Sequence, residues 1–338
     1  MINAYAVPSA AKPLESFQYT PAPFKDEDVE ISIDCCGLCH SDLNLIDNDW
    51  KNSKYPLVPG HEIVGKVIRK GKNVQGLEIG QLVGVGWQCG ACLNCEFCIA
   101  GDETVCSSKV RTCVDRYGGF ADKIVVDYHF VYPIPEDLDP LAAAPLLCAG
   151  ITVYTPFKLY NVQAPQSVAI IGIGGLGHLA LQFAKAFGCD VTAISSSPEK
   201  EQEARQFGAD HFLSLNEPAQ IKKAFNSFDF ILSTVHADLD WGWLGQLLRP
   251  RGKLCFVGLP QNDIKIPVRL LVSGNRSICG NGTGSRTYMM EMLQFCAKHQ
   301  IEAQIEVMPM SQVNEAIKRL KTGKPRYRIV LTKDLFRK

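Results

Sequence analysis

Four cysteines lie close enough along the chain to hold one metal ion. They are Cys92, Cys95, Cys98 and Cys106, and their spacing is Cys-x-x-Cys-x-x-Cys-x7-Cys. A thiolate is a soft ligand, and four on one loop match the tetrahedral shell of Zn²⁺. Because four protein ligands fill that shell, the cluster predicts a closed, structural zinc site. Cys89 precedes the cluster, so an alternative ligand set of Cys89, Cys92 and Cys95 with Cys98 or Cys106 remains open.

Two further thiols and an imidazole are candidates for an open metal site. Cys39 begins the segment Cys-His-Ser-Asp, His61 lies in Gly-His-Glu, and Cys148 lies in Leu-Leu-Cys-Ala-Gly. Two cysteines and one histidine form a catalytic zinc ligand set, with the fourth position left for water or substrate. Glu62 is a candidate transient fourth ligand, and Asp42 a candidate acceptor for the free N–H of His61. Spacing alone does not join residues so far apart, and an isolated histidine more often belongs to a core or a surface.

A glycine-rich turn predicts a dinucleotide site. The segment Gly-Ile-Gly-Gly-Leu-Gly fits G-x-G-x-x-G; it follows an apolar strand and precedes a helical pattern, as the dinucleotide fingerprint requires. The first glycine permits the tight turn, the second lets pyrophosphate approach, and the last allows close helix packing. A purely structural turn is the alternative. The predicted cofactor-binding positions here are Gly172, Gly174, Gly175, Leu176 and Gly177.

The end of the next predicted strand favours NADP(H) over NAD(H). An NAD site places a carboxylate there for the ribose hydroxyls. This chain has Ser195, Ser196 and Ser197, followed by Lys200. Hydroxyls and an ammonium group bind a 2′-phosphate, which a carboxylate would repel. Glu199 lies close by and is the residue that argues against this preference.

The elements that must position these residues fall into two kinds. Residues 1 to about 149 read as short strands with frequent turns, such as Val29–Asp34 and Ile63–Arg69. After Cys148, apolar strands alternate with helical patterns, which predicts a doubly wound parallel sheet. A terminal strand near 327–332 is expected to return to the first domain. The sequence therefore predicts an α/β protein with a β domain at 1–149 with 281–338, and a nucleotide-binding domain at 150–280.

Composition excludes several partners. The chain has 338 residues, with 35 basic and 35 acidic side chains, so no charge excess favours nucleic acid or a membrane surface. The first residues lack the pattern of a secretory signal, and we find no uninterrupted apolar run of the ~18 residues that a membrane helix needs. Fourteen cysteines in a chain of this size favour thiolates on metal in a reducing cytoplasm.

With these motifs combined, the chain resembles the zinc-dependent medium-chain alcohol dehydrogenases, and within them the cinnamyl alcohol dehydrogenase branch. The resemblance runs along nearly the whole length. The segments that carry it are 39–42, 55–65, 92–106, 147–154, 172–178 and 326–330. It implies a GroES-like β catalytic domain, a Rossmann domain, chemistry in the cleft between them, and a homodimer or homotetramer.

The resemblance also implies roles for individual residues. Cys39, His61 and Cys148 would ligate a catalytic zinc with Glu62 nearby, and the four-cysteine cluster would hold a second, structural zinc. Ser41 would pass a proton to or from the substrate oxygen. The positions that correspond to family contacts with the cofactor are His40, Thr152, Thr234, Val257, Gly258 and Arg328.

One residue departs from the family pattern. A histidine two positions after the Asp42 carboxylate often relays protons outward, and this chain has Asn44 there. An amide does not act as a base near neutral pH. The departure leaves open slower turnover, or altered chemistry such as reduction of an activated C=C or C=N bond.

The predicted reaction interconverts a primary alcohol and an aldehyde with NADP(H). Trp50 and Trp87 suit an aryl or apolar substrate, although packed core tryptophans are more common. Two alternatives remain: a C=C or C=N reductase on the same fold, and a non-catalytic NADPH-binding redox sensor that lacks the catalytic zinc. The product formed from an α,β-unsaturated aldehyde separates the two enzymes, and zinc content separates the enzyme from the sensor.

Overall fold

The computed structural model describes residues 1–334 of the protein. The chain forms two compact units. The first contains Met1–Ile151 together with the chain from Gly284 onwards, and the second contains Thr152–Thr283.

The regular elements are numbered in chain order. The strands are β1 Ile2–Ala6, β2 Glu15–Tyr19, β3 Asp28–Leu38, β4 Glu62–Lys70, β5 Leu82–Val85, β6 Gln88–Gly90, β7 Val110–Arg111, β8 Lys123–Asp127, β9 Tyr132–Pro133, β10 Ser167–Ile171, β11 Asp190–Ser195, β12 His211–Ser214, β13 Phe228–Ser233, β14 Leu248–Phe256, β15 Ser277–Gly280, β16 Ile305–Pro309 and β17 Arg328–Thr332. The α-helices are α1 His40–Asp47, α2 Glu96–Ile99, α3 Pro140–Pro145, α4 Ile151–Leu159, α5 Gly177–Ala186, α6 Glu201–Gln206, α7 Pro218–Lys223, α8 Trp241–Leu244, α9 Val268–Gly274, α10 Arg286–His299 and α11 Val313–Lys321.

The first unit is built on a mostly antiparallel sheet. Its strand order is β16-β17-β3-β4-β5-β9, with β8 also paired to β3, and β16 and β17 are parallel. In β3 the side chains of Val29, Ile31 and Ile33 are buried and alternate with partly exposed polar residues, as expected of a strand with one face on a core. The predicted strand near the C-terminus is confirmed as β17, which pairs with β3 of this unit.

The second unit contains a six-stranded parallel sheet. Its order is β12-β11-β10-β13-β14-β15, and every neighbouring pair is parallel. The order reverses at β10, so the sheet is doubly wound, as the alternating pattern predicted. Helix α5 follows β10 directly and buries Leu179, Ala180 and Phe183 against the unit. The carboxyl ends of β10, β11 and β13 therefore lie side by side.

A long apolar helical stretch lies between β9 and β10 along the chain. It runs from Pro140 to Leu159 through α3, a π-helical turn at Leu146–Gly150 and α4. The stretch is long and apolar enough to cross a membrane, but 83% of its most apolar part is buried inside the protein. A helix that is apolar all round is expected of a protein core as well as of a membrane. Pro145 and Pro156 lie within it, and the sequence pattern did not predict it.

Candidate active site

The first element of the site is the N-terminus of α1. Cys39 is the N-cap residue, and its backbone N–H donates to Oδ2 of Asp42 at 2.9 Å. The other carboxylate oxygen of Asp42 accepts from the backbone N–H of Gly60 at 2.9 Å. One buried carboxylate thereby joins the Cys39 turn to the segment that precedes β4. This bracing fixes the Cys39 thiol relative to the next residue along that segment, His61.

His61 is held in one orientation by Asp42. Its Nδ1 lies 3.0 Å from Oδ1 of Asp42, and neither side chain is exposed. With the proton on Nδ1, the Nε2 lone pair is left for a different partner. Among residues 1–334, Nε2 of His61 has no hydrogen-bond partner although it is buried. The ring of Trp87 packs edge-on against the imidazole, with ring centroids 4.8 Å apart.

Cys148 reaches the site from the π-helical turn at Leu146–Gly150. Wide turns of this kind often occur at functional positions because they re-aim one side chain within a helix. Ligand atoms of Cys39, His61, Glu62 and Cys148 all lie within 4.8 Å of one another. Two thiols, an imidazole and a carboxylate are a zinc donor set. The residues therefore fit the metal that the sequence predicted.

The pKa values of the group reflect this crowding. A hydrogen bond from Cys148 holds the pKa of the Cys39 thiol well below its usual range, and the same contact raises the pKa of Cys148. Burial raises the pKa of Glu62 to about 8, against the opposing charge of Arg328. Burial lowers the pKa of His61, but the Asp42 carboxylate, the Cys148 thiol and a hydrogen bond to Cys113 together raise it further, so the net shift is upward. A dication in this group would favour the deprotonated ligands instead.

Glu62 is paired with Arg328, the first residue of β17. Nη2 of Arg328 donates to Oε1 of Glu62 and lies near the backbone oxygen of Leu38. The second carboxylate oxygen of Glu62 has no hydrogen-bond partner among residues 1–334. Opposite Glu62 in the sheet is Gly37, where an added Cβ would lie 1.9 Å from that oxygen. The sheet thus leaves space for a carboxylate that has one oxygen engaged and one available.

The four-cysteine cluster forms a second group in the same unit. Ligand atoms of Cys92, Cys95, Cys98 and Cys106 lie within 4.8 Å of one another. The Sγ atoms of Cys92 and Cys106 are 3.5 Å apart. Backbone N–H donors, chiefly that of Asn94, lower the pKa of Cys92 to about 6 and so favour the thiolate. This S₄ group fits tetrahedral zinc with every ligand supplied by the protein.

Cys89, the alternative first ligand of the cluster, lies outside that group. Its thiol points at the backbone oxygen of Val110 at 3.6 Å. Burial raises its pKa, which disfavours the thiolate that a metal requires. The structure thus favours the ligand set that begins at Cys92.

The glycine turn lies in the second unit, between β10 and α5. Gly172 has φ of +91°, and an added Cβ there would lie 2.3 Å from the Val235 side chain. An added Cβ at Gly177 would lie 1.9 Å from the Gly172 backbone oxygen. At Gly174, by contrast, no described atom beyond the glycine and its two chain neighbours lies within 4 Å of the added Cβ, so the backbone faces open space. The turn therefore fits the close approach of a pyrophosphate to the helix N-terminus.

The serines and Lys200 lie where the sequence predicted, at the end of β11. Ser195 is buried, and its Oγ accepts from the backbone N–H of Ser197. The backbone oxygen of Ser196 accepts from Asn216 at 2.7 Å. Lys200 reaches back to the glycine turn, where its Nζ donates to the Ile173 backbone oxygen at 2.7 Å. The structure thus brings the ammonium group and the glycine turn together.

The remaining predicted cofactor positions divide between the units. Thr234 lies just after β13, and its hydroxyl donates to the backbone oxygen of Gly172 at 2.8 Å. Val257 and Gly258 follow β14, and both backbone N–H groups donate to the oxygen of Ser233. Thr152 is buried and donates to the oxygen of Gly282. In the first unit, His40 is exposed and Ser41 half-buried at the start of α1, and Arg328 is buried beside Glu62.

One contact of the site had no signal in the sequence. The thiol of Cys113 lies 3.6 Å from Nδ1 of His61 and 3.9 Å from Oδ1 of Asp42. Cys113 is buried and has φ of +60°, a conformation that costs a non-glycine residue energy. Because it is 52 residues from His61, only the fold reveals the contact. Cys113 therefore also packs against His61 and Asp42.

Comparison with known proteins identifies the family. Residues 25–136 match the family described as "Alcohol dehydrogenase GroES-like domain", and residues 175–298 match "Zinc-binding dehydrogenase". The aldehyde reductase AdhA of Synechocystis is 42% identical over 98% of this chain and 99% of that protein. The chain belongs to the zinc-dependent medium-chain alcohol dehydrogenases. The dehydrogenase is therefore an enzyme of alcohol and aldehyde oxidoreduction, and the family resemblance is confirmed.

Two solved structures place the dehydrogenase within the cinnamyl alcohol dehydrogenase branch. That of Sorghum bicolor (SbCAD4) superposes with a TM-score of 0.94 and 41% identity, covering 98% of this chain and 97% of the other. That of Helicobacter pylori, solved with NADP(H), superposes with a TM-score of 0.91 and 32% identity, covering 98% and 97%. The predicted combination of a GroES-like domain with a Rossmann domain is confirmed by both.

Proposed function

We propose that the enzyme interconverts primary alcohols and aldehydes with NADP(H), at the group formed by Cys39, His61 and Cys148. The observation that supports this assignment is the buried Nε2 of His61, which lies beside two thiols and has no hydrogen-bond partner within residues 1–334. A nitrogen so placed carries a desolvation cost unless a ligand takes it up. A zinc ion held there supplies a Lewis acid for the substrate oxygen, and NADP(H) supplies or accepts the hydride.

The chain's own residues orient the group and handle the proton. Asp42 fixes the tautomer of His61 and, through the backbone N–H of Cys39, the position of the first thiol. Ser41 holds at its Oγ the proton that joins or leaves the substrate oxygen. Asn44 follows three residues later on α1 and does not take up a proton near neutral pH. The proton path therefore leaves Ser41 without passing through Asn44. Glu62, with one oxygen engaged by Arg328, is the reserve ligand.

We assign the cofactor site to the second unit, which serves as the NADP-binding domain. Gly172, Gly174 and Gly177 give the turn its shape, with Gly175 and Leu176 in the same turn. Ser195, Ser196, Ser197 and Lys200 receive the 2′-phosphate. Support comes from the ammonium group of Lys200 beside the turn and from the relative solved with NADP(H). The other contacts that we assign to the cofactor are His40, Thr152, Thr234, Val257, Gly258 and Arg328.

The substrate that we favour is an aryl or other apolar aldehyde. Trp50 and Trp87 meet edge to face with centroids 6.1 Å apart, and both are only partly buried. They pack with Leu45, Leu57 and Cys113, so the two rings also complete a small core. Since Trp87 touches His61, a planar apolar substrate near the metal ligands would meet an aromatic wall. We further propose a cytoplasmic homodimer or homotetramer with two zinc ions per chain.

The function is tested by a steady-state screen of aliphatic, benzylic and cinnamyl aldehydes with NADPH and with NADH. We expect cinnamaldehyde to give cinnamyl alcohol, with kcat/KM higher for NADPH than for NADH. A saturated aldehyde as product would contradict the carbonyl assignment and indicate C=C reduction. A preference for NADH would contradict the cofactor assignment while leaving the metal assignment intact.

A further inference from the structure

Two cysteines outside both metal groups face each other in the parallel sheet of the second unit. Cys255 lies on β14 and Cys279 on β15, and they are direct register partners. Side chains in register on neighbouring strands point to the same face, with the strands about 4.8 Å apart. That separation falls within the range of about 4.4–6.8 Å over which two Cα atoms can be bridged by a disulfide.

The two thiols differ in character, and Sγ of Cys279 lies 3.6 Å from the backbone oxygen of Leu254, the residue before Cys255. The hydrogen bond from Cys255, with help from Tyr160 and Lys253, lowers the pKa of Cys279 to about 7. The same hydrogen bond and burial raise the pKa of Cys255. Cys255 has no exposed surface, whereas Cys279 on the edge strand is half-buried. Cys279 is thus the accessible thiolate and Cys255 the protected thiol beside it, as in a reactive and resolving pair.

We propose that Cys255 and Cys279 form a peroxide-sensitive thiol pair whose oxidation to an intramolecular disulfide weakens NADPH binding. The thiolate of Cys279 attacks one oxygen of hydrogen peroxide, breaks the O–O bond and becomes a sulfenic acid, while the other oxygen leaves as water after protonation. The sulfur of Cys255 then attacks the sulfenic sulfur, the S–S bond forms, and the second oxygen leaves as water. Both cysteines are oxidised, and the peroxide is reduced to two waters.

The link to the cofactor rests on the proposed function and on the residues that come directly after the two strands. Cys255 lies two residues before Val257 and three before Gly258, whose N–H groups hold the end of β14 against Ser233. Beyond Cys279, Gly282 accepts from the hydroxyl of Thr152. Forming the bond brings the two sulfurs to about 2.05 Å from each other. The resulting movement acts on the segment that carries Val257 and Gly258 and on the segment that contacts Thr152. We assign all three residues to NADPH binding.

Peptide mapping tests the pair without reference to activity. Trypsin releases Cys255 in peptide 254–265 and Cys279 in peptide 277–286, and neither peptide contains another cysteine. After peroxide treatment and alkylation of the zinc-loaded protein, we expect these two peptides linked to each other, and separated again by dithiothreitol. Peptide 277–286 linked to itself, or both peptides recovered alkylated, would overturn the proposal.

NADPH binding, followed by fluorescence titration, tests the consequence. We expect the Kd of the oxidised protein to be about tenfold higher than that of the reduced protein, and reduction to restore it. Cys279→Ser and Cys255→Ala should lose this response, whereas Cys189→Ala should keep it. An equal response in Cys279→Ser would assign the effect to other thiols, and a disulfide with unchanged Kd would refute the link to the cofactor. Failure of the reduced protein to bind NADPH would instead refute the cofactor assignment, since the peptide map does not depend on it.

Discussion

At the scale of single residues, the metal group depends on one carboxylate more than on any other neighbour. Asp42 accepts from the backbone N–H of Cys39, from the backbone N–H of Gly60 and from the ring of His61. It thus braces both a thiol and the imidazole without ligating the metal. Partners of this kind commonly change metal affinity by about 10–100-fold when they are replaced.

Asp42→Asn should therefore weaken zinc binding while leaving the fold intact. The amide keeps the shape but replaces one acceptor oxygen with a donor NH₂, so at least one of the three contacts is lost. We expect zinc affinity at this group to fall by about 10–100-fold, measured by competition with a chromogenic chelator. Asp49→Asn, which changes an exposed carboxylate, should bind zinc as the wild type does. Equal affinities in both variants would show that Asp42 has no positioning role.

Lys200→Ala tests the cofactor preference at one side chain. A hydrogen bond to a charged group contributes about 1.5–3 kcal/mol, which corresponds to roughly a 10–100-fold change. We expect KM for NADPH to rise by about that factor while KM for NADH is unchanged, because NADH lacks the 2′-phosphate. Lys185→Ala, a change in the same unit on helix α5, serves as the control. A parallel rise for both cofactors would show that Lys200 acts only through the Ile173 backbone.

At the scale of elements, local patterns predicted the strands and turns that depend on neighbouring residues in the chain. The alternation in β3, the β-branched run in β4 and the glycine turn before α5 all follow from short-range chemistry, and the structure confirms them. The sequence pattern did not predict the helix at 140–159, which contains Pro145, Gly150 and Pro156, residues that disfavour a helix interior. Burial of its apolar surface on all sides outweighs those breakers.

Features of the site likewise divide into those set by neighbouring residues in the chain and those set by packing. The ligand types and the glycine spacing were readable in the sequence, and the family resemblance joined residues as distant as Cys39 and Cys148. The pairing of Glu62 with Arg328 spans 266 residues, and the contact of Cys113 with His61 spans 52. The register of Cys255 with Cys279 likewise requires the sheet order. No local pattern encodes these pairings, because they arise only when strands and loops pack.

A buried carboxylate beside the four-cysteine cluster forms an ion pair with helix α10. The Glu103 side chain is 2% exposed, and its Oε1 accepts from Nε of Arg286, the first residue of α10, at 2.7 Å. Arg286→Gln should leave the carboxylate with a weaker partner, so we expect the free energy of unfolding to fall by about 2 kcal/mol. Arg205→Gln, which breaks an exposed pair, should cost less than ~1 kcal/mol. Equal urea midpoints for the two variants would contradict a stabilising role for the buried pair.

At the scale of the whole molecule, we assign the chemistry to one of two metal groups in the first unit and the cofactor to the second unit. Each group brings four possible ligands together. The four-cysteine group supplies its whole shell, whereas in the other group we assign three ligands, Cys39, His61 and Cys148, and leave the fourth position to substrate, with Glu62 as the reserve ligand. Removing a ligand from the second group should therefore stop catalysis without unfolding the protein. Removing an unrelated buried thiol from the same unit should do neither.

Zinc content and turnover of Cys148→Ala, measured together, test the assignment of the catalytic metal group most directly. Wild type and Cys296→Ala should hold two zinc ions per chain and reduce cinnamaldehyde with NADPH. Cys148→Ala should hold one zinc ion, keep the wild-type circular dichroism spectrum, and lose turnover by about 10³-fold, the effect of several kcal/mol of lost transition-state stabilisation. Two zinc ions in Cys148→Ala, or turnover within about tenfold of the wild type, would contradict the assignment.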